Sequence, residues 1–166
     1  MIQNIFNPKF CLSTQVRESW CAGVLDSDRG KIPIEVVQGI PRLKLDQDPN
    51  AKEDWFCAVL PLDPVWGSID LETFKFLNFN FYTDYGLYCR VGLKDASENS
   101  SLELELYGEE NCREGDESRL SLDLSRFLDD PPSDFNPKES RLLKFIGYND
   151  TAFYISEVTL SSAPST

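Results

Sequence analysis

The nine residues Lys75-Phe76-Leu77-Asn78-Phe79-Asn80-Phe81-Tyr82-Thr83 alternate without a break. Leu77, Phe79 and Phe81 fall on one face, and Phe76, Asn78, Asn80 and Tyr82 on the other. A period of two is that of a β-strand, in which side chains two apart line the same face. The rhythm returns further along. Leu87, Cys89, Val91 and Leu93 oppose Tyr88 and Arg90. Leu102, Leu104 and Leu106 oppose Glu103, Glu105 and Tyr107, and Leu120, Leu122 and Leu124 oppose Ser121 and Asp123. Each stretch predicts a strand with one face in an apolar core and one toward water. Residues 17–25, 32–37, 42–46, 55–60, 142–147 and 152–160 predict six more. Turn signals such as Asp28-Arg29-Gly30, Asp84-Tyr85-Gly86, Asp130-Pro131-Pro132 and Tyr148-Asn149-Asp150 separate them, and no long 3.6-residue period competes. The expected fold is all-β: an antiparallel jelly-roll β-sandwich of about 8–10 strands with little helix. It would occupy residues 1–160 as a single domain, with residues 161–166 as a short polar tail. Leu77, Phe79, Phe81, Val91, Leu104 and Leu122 are expected between the two sheets.

Composition limits the chemistry. The 166 residues carry 16 Lys and Arg against 28 Asp and Glu, a net charge of −12. An acidic surplus disfavours nucleic acid and anionic membranes, both of which are polyanions. No apolar run approaches the roughly 20 residues that span a bilayer. The chain has no histidine, which removes Ser-His-Asp and Cys-His catalysis and histidine-ligated zinc. The five cysteines, Cys11, Cys21, Cys57, Cys89 and Cys112, are scattered and odd in number. That pattern reads as reduced, mostly buried thiols, not as a disulfide framework. Residues 1–10 show no basic start, apolar stretch or cleavage site. A cytoplasmic location is expected unless a leader has been removed.

Several residue sets are candidates for function. If the central strands pair in chain order, Asn78, Asn80 and Tyr82 lie beside Tyr88 and Arg90, followed by Glu103, Glu105 and Tyr107. Aromatic rings, amides, Arg and carboxylates are the groups that bind a saccharide or a similar polar small molecule. An ordinary solvated sheet face has a similar composition. Trp66, in the loop Leu62-Asp63-Pro64-Val65-Trp66-Gly67, reads as a lid over a site or as an anchor for its loop. Trp20 reads as core, and Trp55 is open to either face. Glu103 and Glu105 share a face roughly 6.7 Å apart along a strand, near the spacing of paired-acid glycosidases. Among 28 acids such a pair arises readily by chance. Asp26-Ser27-Asp28-Arg29-Gly30 opens like a calcium loop but lacks the later Gly and Glu of a helix-loop-helix site. No nucleotide-type glycine-rich loop or haem motif is present.

Three segments together resemble a known superfamily. Ile69-Asp70-Leu71-Glu72-Thr73-Phe74-Lys75-Phe76-Leu77-Asn78-Phe79, then Leu120-Ser121-Leu122-Asp123-Leu124-Ser125-Arg126-Phe127, then Phe153-Tyr154-Ile155-Ser156-Glu157-Val158-Thr159-Leu160 are similar to motifs of jelly-roll carbohydrate-binding modules. They follow the same order, with Arg90-Val91-Gly92-Leu93-Lys94-Asp95 between them. The resemblance is to the galactose-binding-like superfamily. That group also includes complex I intermediate-associated proteins and calcium-dependent alkaloid cyclases of cyanobacteria, so fold alone leaves function open. The leading reading is non-catalytic binding of a saccharide on the concave sheet face. The alternatives are a calcium-assisted cyclase or isomerase with a buried Asp or Glu as general acid, and a structural subunit with a protein partner. In the superfamily an Asp of the closing strand often ligates a structural calcium. Ser156 and Glu157 stand there in this chain, so the resemblance offers Glu157 as a metal ligand; the turn acids Asp26 and Asp28 are the other candidate oxygen donors, or are simply solvated.

Overall fold

The computed structural model describes residues 2–6, 18–20, 30–31, 34–46, 55–63, 67–84, 86, 88–109, 112–128, 134–148 and 152–164. Twelve strands appear among them: β1 (Ile2–Phe6), β2 (Glu18–Trp20), β3 (Gly30–Lys31), β4 (Ile34–Val37), β5 (Ile40–Leu45), β6 (Trp55–Pro61), β7 (Phe76–Tyr82), β8 (Cys89–Asp95), β9 (Leu104–Glu105), β10 (Ser118–Asp123), β11 (Ser140–Tyr148) and β12 (Phe153–Ser161). Helix is confined to α1 (Ser125–Leu128) and three 3₁₀ turns, at Leu71–Thr73, Leu106–Gly108 and Pro137–Glu139. No helix among the described residues is long and apolar enough to cross a membrane.

The strands form two antiparallel sheets of six. The first runs β10-β7-β12-β5-β4, with β1 also on β12; the second runs β3-β2-β6-β11-β8-β9. On one edge of β12, β5 pairs with its first half and β1 with its second. The alternating leucines and phenylalanines turn inward from both sheets. Leu77, Phe79, Phe81, Val91 and Leu122 are buried in one core, as their rhythm predicts, while Leu104 packs against it half-buried. Phe79 of β7 meets Phe145 of β11 edge to face across the sandwich, with centroids 5.4 Å apart and planes at 87°. Phe56 and Phe153 also bridge the sheets, at 6.1 Å. Gly147 faces this cluster: a Cβ there would lie 2.4 Å from the Phe56 ring. Cys89 and Cys112 are buried, and burial holds both thiols above their ordinary value, Cys112 at about 11.

The order of pairing departs from expectation. Strand β7 pairs with β10 and β12, whereas β8 pairs with β11 and β9. Consecutive strands β7 and β8 therefore lie in opposite sheets, joined across the end of the sandwich. The predicted strand through residues 102–107 is paired only at Leu104–Glu105 and then tightens into a 3₁₀ turn. Tyr148, expected in a turn, closes β11 instead.

Candidate functional site

Which outward face could hold a ligand follows from what already occupies it. On the first sheet, Asn78, Asn80 and Tyr82 point away from the core, yet all three are buried. Their neighbours enclose them. Ser121 Oγ donates to Asn78 Oδ1 (2.6 Å), and Asn78 Nδ2 donates to Ser161 Oγ (2.8 Å) and Thr159 Oγ1 (3.2 Å). Arg119 Nε donates to Asn80 Oδ1 (3.2 Å), whose amide donates to Glu157 (3.1 Å). Tyr82 donates to Asp84 (2.6 Å), which raises its phenol above the ordinary value. Its ring lies beside Tyr154 and under the fully buried Arg42, which pairs with Glu117. These amides form a satisfied ladder across β10, β7 and β12.

Glu157 belongs to that ladder. It occupies the bulge of β12 with φ +54°, where the register on β7 shifts. The bulge turns its carboxylate toward the Asn80 amide and, at 3.8 Å, toward Arg119. Both partners present nitrogen donors, which suits a carboxylate as acceptor. No three Asp, Glu, Cys or His side chains cluster to hold a metal among the described residues. Asp26, Asp28 and Trp66 lie outside them.

The second sheet presents a different surface. Here the outward residues are Trp55 and Cys57 of β6, Lys144, Ile146 and Tyr148 of β11, and Arg90 and Lys94 of β8. They line a cleft of about 500 Å³ together with Ser100 and Glu103. Register sets the rows. Tyr148 is level with Trp55, Ile146 with Cys57 and Arg90, and Lys144 with Gly92. Gly92 gives the middle row its depth: a Cβ there would lie 2.9 Å from Lys144 Cε and 3.1 Å from Glu103 Cγ. In that space Lys144, 5% exposed, reaches Glu103 at 3.3 Å and donates to Ser100 Oγ at 3.1 Å. Arg90 approaches the other oxygen of Glu103 at 3.5 Å. Arg90 Nε and Glu103 Oε2 are shielded from solvent and make no hydrogen bond among the described residues.

Aromatic rings run along one end. Tyr88 directly precedes Cys89, whose ladder partner Gly147 directly precedes Tyr148. Tyr88 stacks on Tyr107 with centroids 5.5 Å apart and planes at 5°. Tyr88, Tyr107 and Tyr148 are 60%, 62% and 41% exposed. The Arg90 guanidinium lies 5.8 Å from the Tyr148 centroid, within cation–π range.

The structure thus unites Tyr88, Arg90, Glu103 and Tyr107 and separates them from Asn78, Asn80 and Tyr82, which lie on the opposite side of the sandwich. Sequence reasoning missed Lys144 and Tyr148. The signal for Lys144 was a charged residue at an outward position between Leu143 and Phe145; Tyr148 looked like part of a turn.

A buried carboxylate positions the Ser100–Glu103 side of the cleft. Asp95 ends β8 at 3% exposure and accepts from Ser97 N (2.9 Å), Asn99 N (2.8 Å) and Asn136 N (2.9 Å). Burial alone would raise its pKa, but the three N–H donors outweigh this and hold it below the ordinary 3.8. A depressed carboxylate stabilises the fold above its unfolded pKa, and that contribution is lost as pH falls through the folded value. Asp95→Ala, which orphans these donors, is expected to cost about 2–3 kcal/mol near neutral pH. Urea unfolding from pH 6 downward should show a shallower loss below about pH 4 in the variant than in the parent. Parallel acid limbs would refute the assignment.

No protein-family profile and no curated protein sequence matches the chain. Solved structures do. A family 30 carbohydrate-binding module of a cellulosomal cellulase from Clostridium thermocellum superposes with a TM-score of 0.66 at 15% identity, covering 99% of both chains. The fold is that of a jelly-roll carbohydrate-binding module. A β-1,2-glucanase from Parabacteroides distasonis matches with a TM-score of 0.60 at 13% identity, over 97% of this chain and 25% of the other. A family 29 carbohydrate-binding module variant complexed with cellulohexaose matches at 0.56 and 9% identity, over 98% and 92%.

Proposed function

We propose that the outward face of the second sheet is a non-catalytic saccharide-binding surface. The observation that carries this reading is the exposed ring of Tyr148 lining one cleft with Arg90, Glu103 and Lys144, with the exposed, stacked Tyr88 and Tyr107 two residues from the ladder partners Arg90 and Glu105. Rings accept the C–H face of a sugar, and Arg and Glu bind its hydroxyls with fixed donors and acceptors. Glu103 is the only carboxylate lining the cleft among the described residues. Hydrolysis by paired acids needs two carboxylates flanking the scissile bond. The shared fold with family 30 and family 29 modules is consistent with this reading.

The test is an array of immobilised polysaccharides followed by titration of the soluble oligosaccharides retained. Hydrogen exchange should then show protection at Arg90, Glu103 and Lys144 in the complex. Absence of any retained glycan would end the reading. So would protection confined to β7 and β10 on the opposite face.

A further inference from the structure

The lining of the cleft changes character in a fixed order along β11. Tyr148 stands at the rim, Ile146 comes two residues further in, and Lys144 two beyond that. Side chains two apart on a strand are spaced by roughly 6.7 Å. The ladder puts Cys57 level with Ile146. Ile146 and Cys57 are 8% and 3% exposed, so an apolar patch lies between an exposed ring and a buried ammonium. A sugar hydroxyl held over that patch would lose water without gaining a strong partner, which is costly. Beyond the patch, donors are left over. An ammonium carries three N–H bonds, and among the described residues Lys144 has two acceptors, Ser100 Oγ at 3.1 Å and Glu103 Oε1 at 3.3 Å. Ser100 Oγ accepts in that contact, and its own hydrogen has no acceptor among the described residues. Charge does not choose the ligand here. Arg90 and Lys144 both face Glu103, Glu105 lies opposite Arg90 in the ladder, and Lys94 is engaged as well.

We infer that the saccharide is built of N-acetylhexosamines and is held by an acetamido group. This rests on the saccharide reading above and narrows it. An acetamido group is uncharged, and it is divided as the cleft is divided. Its methyl suits Ile146 and Cys57, where leaving water is favourable. Its carbonyl oxygen suits the third N–H of Lys144 and the hydroxyl of Ser100. A bond from a charged donor is the stronger kind. Its N–H suits Glu103 Oε1, a carboxylate oxygen with lone pairs for more than one donor. The sugar ring that bears the group then rests on Tyr148 at the rim. A plain hexose has only a hydroxyl at the same carbon. That hydroxyl has no methyl for the apolar patch and ends short of the donors behind it.

Calorimetric titration of the full chain with chitotetraose, cellotetraose and the deacetylated chitosan tetramer tests this. The three share one β-1,4-linked backbone and differ at one carbon of each ring. Chitotetraose should bind on the order of tenfold or more tighter than cellotetraose, as a hydrogen bond from a charged donor implies. The deacetylated tetramer is a polycation meeting a chain of net charge −12. It should bind weakly and lose that binding in about 500 mM salt, while chitotetraose keeps its affinity. Lys144→Met and Ser100→Ala should each lower the preference for chitotetraose several-fold. Should Lys144→Met fail to fold, Ser100→Ala decides, since among the described residues its hydroxyl bonds only Lys144. Cellotetraose binding as tightly as chitotetraose would overturn the inference and leave saccharide binding intact. Equal, salt-resistant affinity for the deacetylated tetramer would overturn it too, by moving recognition from the acyl group to the amine. If none of the three binds, this inference falls, and the array decides whether saccharide binding falls with it.

Discussion

Phe79→Ala is expected to lower the unfolding free energy by about 3–5 kcal/mol. Phe79 is 1% exposed at the middle of β7, and its ring meets Phe145 of the opposite sheet edge to face. Truncation leaves a cavity between two walls that cannot close over it. One wall is β7, laddered to β10 and β12; the other is β11, laddered to β6 and β8. Both central strands are held on two sides, so relaxation toward the void would break pairing on at least one of them. Domains of this kind have a total stability of about 5–15 kcal/mol, so the loss is a large share of the whole. Equilibrium urea denaturation at neutral pH measures it through the midpoint, with the slope unchanged if both states keep their compactness. A loss below about 1 kcal/mol would mean that the sheets collapse onto the gap.

The fold was legible because burial acts on alternate side chains of each strand independently of its partners. Leu77, Phe79 and Phe81 turn inward whichever strand lies alongside, so their period alone identifies a sandwich wall. Strand β1 was not legible. Its core residue is Ile5, while Ile2 is 70% exposed, and so short a segment gives too little alternation to count. Pairing order was also hidden. Alternation says that Asn80 and Arg90 both point outward from their own strands, but not that those strands belong to the same sheet. The chain crosses from one sheet to the other between β7 and β8, so one predicted face became two opposite ones. The half containing Tyr88, Arg90, Glu103 and Tyr107 survived because it arose from β8 and the segment that pairs with it. Lys144 joined them from about 40 residues later in the chain, through a ladder that no local pattern encodes.

That separation makes two tyrosines, alike in sequence context, behave in opposite ways. Tyr148→Ala is expected to weaken saccharide binding roughly a hundredfold, as loss of an aromatic anchor does, with stability within about 1 kcal/mol of the parent. Its ring is 41% exposed at the rim of the cleft and carries the Arg90 guanidinium, so truncation removes a stacking surface and frees Arg90 to swing. Tyr82→Ala is expected to do the reverse. Tyr82 is 7% exposed, wedged between Tyr154 and Arg42, with its hydroxyl on Asp84. Its removal strips the packing from the buried Arg42, which keeps its pair with the exposed Glu117, and leaves a cavity beside Tyr154, which is destabilising. The melting temperature should drop by several degrees while the affinity of the surviving folded protein stays at the parental value. Thermal melts and titrations with the same saccharide, run on both variants, separate the two roles. Lost affinity at parental stability in Tyr82→Ala would move the site to the first sheet, where the Asn78 and Asn80 ladder would have to open to admit a ligand.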